Sequence, residues 1–195
     1  MLQRVLDAAA KSPQVHVRIV REQREEESGV YTADSVTEFW WQSNGNFRYD
    51  RSGMWGDGLL VVNDGRSAWL DTLDAGQPAE KRLGFKRFED AAKAADLLGD
   101  RSPLIALYAG PDVVKALGDT GTVVEMPPEG GRGRLRVQSP LTGDVTFVLD
   151  AKERVVEILI QVNGGTATRE FVRYLEAPRS GTFTFVEPRV PSKGS

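Results

Sequence analysis

Between residues 37 and 70 the chain carries four short segments rich in aromatic and branched side chains: 37–42, 46–50, 59–62 and 67–70. Ser43-Asn44-Gly45 separates the first two and Asn63-Asp64-Gly65 the last two. Asn-Gly and Asp-Gly steps supply the positive φ angles that tight antiparallel turns need, so the stretch reads as two hairpins of one sheet. This constrains the fold more than any other feature. A sheet carrying Trp40, Trp41, Phe47, Tyr49, Leu60, Val62 and Trp69 must cover one face, and the alternatives are a plain core or a ligand cavity.

The remaining segments extend the same sheet. Leu2, Val5, Leu6 and Ala9 fall at helical spacing and Ser12-Pro13 ends the run, which predicts an N-terminal helix. Val15, Val17 and Ile19 alternate with His16, Arg18 and Val20 as in a half-buried strand, and the acidic run at 22–27 reads as an exposed strand end and hairpin tip. Residues 73–83 read as a loop with a short strand at most. At 86–98 the period changes: Phe88, Ala91, Ala92, Ala95 and Leu98 predict a helix ended by Gly99. Ser102-Pro103-Leu104 opens a short helix with a Ser cap and Pro at its first position, and 111–117 predicts another.

Strands then resume at 122–126 and 135–137, with a Pro-Pro-Glu-Gly-Gly loop between them. They continue through Val145, Phe147 and Leu149, then Ile158 and Ile160, then 166–175 and finally Thr182-Phe183-Thr184-Phe185. Tightly turned strands interrupted by apolar helices predict an α+β, mainly β chain: a single highly curved antiparallel sheet of about ten strands, left unclosed, with the N-terminal helix and a lid of short helices on its concave side. One domain over 1–190 with a tail at 191–195 is expected for a chain of 195 residues.

Composition removes several function classes. Twenty-five basic and 28 acidic residues are interspersed, and Arg18, Arg48, Arg169 and Arg173 occur singly at alternating positions, so no nucleic-acid partner is expected. Cysteine is absent, which excludes disulfides and thiolate chemistry. The only histidine is His16, on the presumed outer face of its strand, and no metal site is expected. Glu89-Asp90 and Glu25-Glu26-Glu27 are adjacent in sequence and so do not face one another. The glycine clusters at 53–58 and 130–133 lack the context of a phosphate loop. No catalytic residue and no cofactor is expected, and no stretch approaches the 18 or so apolar residues of a membrane span.

The order of features resembles the LolA/LolB superfamily of outer-membrane lipoprotein carriers. The resemblance rests on Phe39-Trp40-Trp41-Gln42-Ser43-Asn44-Gly45-Asn46-Phe47-Arg48-Tyr49 and on Leu60-Val61-Val62-Asn63-Asp64-Gly65-Arg66-Ser67-Ala68-Trp69. Ser102-Pro103-Leu104 is similar to the family's lid-helix start, and the segments around Phe147, Ile160 and Phe183-Thr184-Phe185 are similar to its closing meander. One position departs: Ser43 stands where the carrier has an arginine that holds the lid.

The resemblance implies an unclosed barrel with an apolar cavity under helices. It also implies a periplasmic or cell-envelope location behind a removed signal or lipid-anchor segment. Trp40, Phe47, Tyr49, Leu60, Val62, Trp69, Leu104, Leu107, Ile158 and Ile160 are the expected ligand-binding residues, with Phe171 facing the same cavity. The expected partners are lipid or lipoprotein acyl chains, with membrane proteins for loading and release, and the chain is expected to be a monomer. The alternative reading is a non-transporting envelope-stress sensor of the RseB kind on the same fold. An enzyme is the third.

Overall fold

The structure is a computed structural model, and it describes residues 2–54, 57–73, 84–88, 102–109, 121–139, 143–161, 167–177 and 182–183. Helix α1, Leu2–Ala10, buries Val5 and Ala9. Five strands follow: β1 Gln14–Arg24, β2 Tyr31–Gln42, β3 Phe47–Gly53, β4 Gly58–Asn63 and β5 Ala68–Leu73. After β6, Gly84–Phe88, comes helix α2, Pro103–Ala109. The chain then runs through β7 Thr122–Glu129, β8 Arg132–Ser139, β9 Gly143–Leu149, β10 Val155–Gln161 and β11 Ala167–Tyr174.

Among the described residues all the strands form one 11-stranded antiparallel sheet, ordered β6-β5-β4-β3-β2-β1-β11-β10-β9-β8-β7. Every adjacent pair in this order is sequential except at the centre, where β1 meets β11. The first and last strands therefore lock the two halves together, and β6 and β7 end the order. This is the expected unclosed sheet, with one strand more than the sequence estimate.

The turns form for the reasons visible in the sequence. Gly45 and Gly65 both take positive φ, 90° and 87°, which only glycine adopts at no steric cost. The buried Asn63 clips these turns together: its side-chain nitrogen donates to the Gly45 carbonyl at 3.2 Å, while its oxygen accepts from the Gly65 N–H at 2.8 Å. At the β9–β10 turn Asp150 Oδ1 accepts from the N–H groups of Lys152 and Arg154, at 2.8 and 2.9 Å.

Several expectations change. Residues 86–88, assigned to a helix by their period, belong to β6, where Phe88 is the register partner of Ala68. The N–H and C=O groups along the free side of β5 need partners, and that requirement outweighs local helix propensity. The rest of that helix, the 111–117 helix, the loop beyond Leu73 and the 191–195 tail lie outside the described residues. Pro127 and Pro128 fall within β7 at a register shift, where an end strand tolerates the missing donors. Thr182 and Phe183 form a turn rather than the start of a closing strand, and Thr184 and Phe185 lie outside the described residues.

Candidate functional site

Because side chains alternate across a strand and register partners share a face, the ladder assigns each residue a side. Val15, Val17 and Ile19 of β1 pair with Trp41, Phe39 and Thr37 of β2. Phe39 pairs with Tyr49, Tyr49 with Val61, and Val61 with Leu70. Across the centre, Val17 meets Tyr174 and Ile19 meets Val172. Ile158 meets Phe147, and Phe147 meets Leu135. These residues make one continuous inner face. Onto it α1 places Val5 and Ala9, and α2 places Leu104, Ile105, Leu107 and Tyr108.

The expected binding residues divide between the two faces. Phe47, Tyr49, Leu104, Leu107 and Ile158 come together in the buried inner cluster, and Ile160 packs against it. Trp40, Leu60, Val62 and Trp69 lie on the opposite, outer face, since Trp40 pairs with His16 and Arg48, Arg48 with Val62, and Val62 with Trp69. Phe171 is also on the outer side, where it pairs with Val20 and is 39% exposed. The true inner residues are their neighbours Phe39, Trp41, Leu59 and Val61. Adjacent apolar residues, such as Trp40-Trp41 and the run 59–62, contain no alternation, so the sequence holds no phase signal there; a slip of one residue exchanges the faces.

The outer row has its own contacts. His16 stacks on Trp40 with ring centroids 4.7 Å apart, and the Arg48 guanidinium sits 5.7 Å from the Trp40 ring. His16 also lies 2.9 Å from the Glu176 carbonyl and 3.4 Å from the Glu38 carboxylate. Ser43, at the hairpin end, is exposed, and its backbone N–H donates to the Pro13 carbonyl at 3.0 Å.

The inner face is not uniform along the strands. Moving two residues at a time along β1, Val15, Val17 and Ile19 give way to Arg21, and on β2 Trp41 and Phe39 give way to Thr37 and Ser35. Each step covers about 6.6 Å. Arg21 is the register partner of Glu170, which is only 1% exposed.

The Arg21 Nε donates to Glu170 Oε1 at 3.0 Å and its Nη2 donates to the same oxygen. Ser102, immediately before α2, donates its hydroxyl to Glu170 Oε2 at 2.8 Å. Arg51, nearby on β3, donates to Asp57 at 2.9 Å. Arg21, Arg51, Ser102 and Glu170, together with Ile19, Ser35, Thr37, Tyr49 and Ile105, line a cavity of about 10 Å³, roughly the room one water needs. Removing one partner of a buried ion pair costs about 3–5 kcal/mol, because the other charge is stranded. Glu170 escaped sequence reasoning because it lies between Arg169 and Phe171, which read as the patterned residues; its only signal was the irregular alternation of that strand.

A second polar contact lies on the inner side. The phenols of Tyr108 on α2 and Tyr174 on β11 are 3.3 Å apart. Burial pushes Tyr108 above the ordinary tyrosine value, and burial with the Tyr108 phenol alongside does the same to Tyr174. Both remain neutral hydrogen-bonding groups. Trp41 packs against Tyr108 at 5.7 Å between ring centroids, so α2 is seated on aromatic rings at one place and on a carboxylate at another.

In overall shape the chain is similar to an uncharacterized conserved protein of Thermus thermophilus, at 11% identity over 96% of this chain and 95% of that one, with a TM-score of 0.53. It is also similar to lipoprotein LppX of Mycobacterium tuberculosis, at 12% identity, 91% and 94% coverage and a TM-score of 0.49. A LolA superfamily protein of Nitrosomonas europaea is similar at 10% identity, 94% and 97% coverage and a TM-score of 0.41. No protein-family model and no curated protein matches the sequence. The fold shared with the Thermus thermophilus protein is an unclosed antiparallel sheet; here a helix stands at its start and a short helix is seated on its inner face.

Proposed function

We propose that the chain is a cell-envelope carrier that binds acyl chains, of a lipid or of a lipidated protein, between the inner face of its sheet and α2. The observation that carries this reading is the seating of α2. Leu104, Ile105, Leu107 and Tyr108 of this seven-residue helix are buried on the inner face. Displacing so small an element uncovers an apolar surface already bounded by Val17, Phe39, Phe47, Tyr49, Val61 and Ile158, all at most 3% exposed. The sequence resemblance to lipoprotein carriers supports the same reading.

The energetics are adequate. Each methylene removed from water gains about 0.8 kcal/mol, so one long acyl chain gains on the order of 10 kcal/mol before ordering costs. A bilayer offers nearly the same gain, so direction comes from partners that bind the open and closed states differently. On this reading those partners are membrane proteins that load and unload the chain.

Native mass spectrometry of freshly purified protein, followed by organic extraction, tests the proposal. A defined stoichiometry of co-purified lipid is expected. Protein that emerges without lipid, and takes none up from vesicles, overturns the carrier reading in favour of a binding module that uses only its surface.

A further inference from the structure

We infer that Glu170 is a head-group subsite that selects lipids whose neutral head donates a hydroxyl; the inference rests on the lipid-binding reading above. The cavity beside Glu170 has a volume of about 10 Å³, so it admits a water and nothing larger. A ligand that takes the place of α2 on the inner face displaces that helix. Ser102 directly precedes α2 and leaves with it, taking away the hydroxyl that donates to Glu170 Oε2 at 2.8 Å. Arg21 stays, because it and Glu170 are register partners within the sheet and are joined through the other oxygen, Oε1, at 3.0 Å.

Opening therefore takes one donor from a carboxylate that is 1% exposed while α2 is seated. A buried acceptor left without a donor is costly, and a ligand that restores the donor regains that loss. A hydroxyl, like the one that left, meets this need. The rest of the site weighs against an anionic head. Arg21 is engaged by Glu170 and Arg51 by Asp57 at 2.9 Å, so a phosphate or carboxylate would meet the Glu170 charge without a cation to spare among these residues. The polarity change from Val17 and Ile19 to Arg21 along β1 orients the ligand. Its chain lies toward Phe39 and Tyr49, and its head lies toward Glu170.

Glycerol and sugar hydroxyls share this chemistry, and the experiment separates them. The delipidated full-length chain is titrated with 1-oleoylglycerol, oleyl glucoside and methyl oleate, followed by tryptophan fluorescence. At least one hydroxylated ligand is expected to bind about ten-fold or more tightly than methyl oleate. The tighter of the two identifies the head as glycerol or sugar.

In Arg21→Met/Glu170→Met, checked for folding by circular dichroism, the preference over methyl oleate collapses to within about three-fold while methyl oleate binding persists. Ser102→Ala removes that donor from the closed state as well, so opening costs less and hydroxylated ligands and methyl oleate alike bind several-fold more tightly, with their ratio kept. A purely structural role for the ion pair would leave the ratio in the double variant unchanged. Equal binding of the three ligands, or an unchanged preference in the double variant, overturns the inference alone. Failure to bind any of them overturns the lipid-binding reading with it.

Discussion

Trp40 and Trp41 are neighbours in one strand and belong to different parts of the molecule. Trp41 stands on the inner face, against Tyr108 of α2. Trp40 stands on the outer face, between the ring of His16 and the guanidinium of Arg48. The same contrast holds for Phe47 and Arg48, and again for Glu170 and Phe171. On the inner face large apolar side chains are closed off from water and the buried Glu170 carboxylate is held by several donors. On the outer face aromatic rings remain partly wet and are covered by the stems of charged neighbours. The lesson is that aromatic content does not mark the buried side of such a sheet; the seating of helices does.

The most severe way to break this contrast is Phe39→Ala. Phe39 is 0% exposed, and truncating a buried phenylalanine costs about 3–5 kcal/mol. Trp40→Ala, one residue on, is expected to cost about 1 kcal/mol, because its ring is only partly buried and its partners stay solvated. Denaturant titration of both variants checks the pair; similar losses would erase the distinction between faces.

The polar corner of the inner face gives the next largest effect. Arg21→Met alone strands the Glu170 charge and should cost about 3 kcal/mol, and the added Glu170→Met should recover most of it, since two apolar side chains replace a desolvated pair. If the double variant is less stable than the single, the pair stabilises the fold beyond simple neutralisation. A smaller effect is expected outside. A double-mutant cycle on Trp40→Ala and Arg48→Ala should report a coupling of about 0.5 kcal/mol, the scale of an exposed cation–π contact.

The pH limits of stability separate turns from interior. Partial burial raises the Asp64 and Asp150 carboxyls, but hydrogen bonds from backbone N–H groups, with the nearby arginines Arg66 and Arg154, outweigh it and hold both below the ordinary value of 3.8. The folded state thus keeps them ionised more readily than the unfolded chain. Their contribution is present above that ordinary value and is lost as pH falls through it. Tyr108 and Tyr174 are raised above the ordinary value of 10.0, so their contribution is complete below that value and is lost as pH rises past it. Thermal melts of the Asp150→Asn and Tyr174→Phe variants should show a weakened acid limb in the first and a weakened alkaline limb in the second. A change on the opposite limb would show that the groups are assigned to the wrong side of the molecule.

Turn chemistry and alternation were readable one residue at a time. Asn44-Gly45 and Asp64-Gly65 announced their hairpins because few residues other than glycine accept the backbone angles required. Val15, Val17 and Ile19 announced a half-buried strand, and Ser102-Pro103 announced the start of α2. These local signals determined a mainly antiparallel chain with a short helix over its sheet.

Two matters were decided only by tertiary structure. One is the pairing of β1 with β11, which joins the chain's beginning to its end and creates the register in which Arg21 meets Glu170. The other is the face on which each residue of an unbroken apolar run lies. A period of two read through Trp40-Trp41 or 59–62 has no phase, so Leu60 and Val62 were as eligible as Leu59 and Val61 until the neighbouring strands set the register. Side chains choose a face through partners distant in sequence, and no local pattern contains those partners.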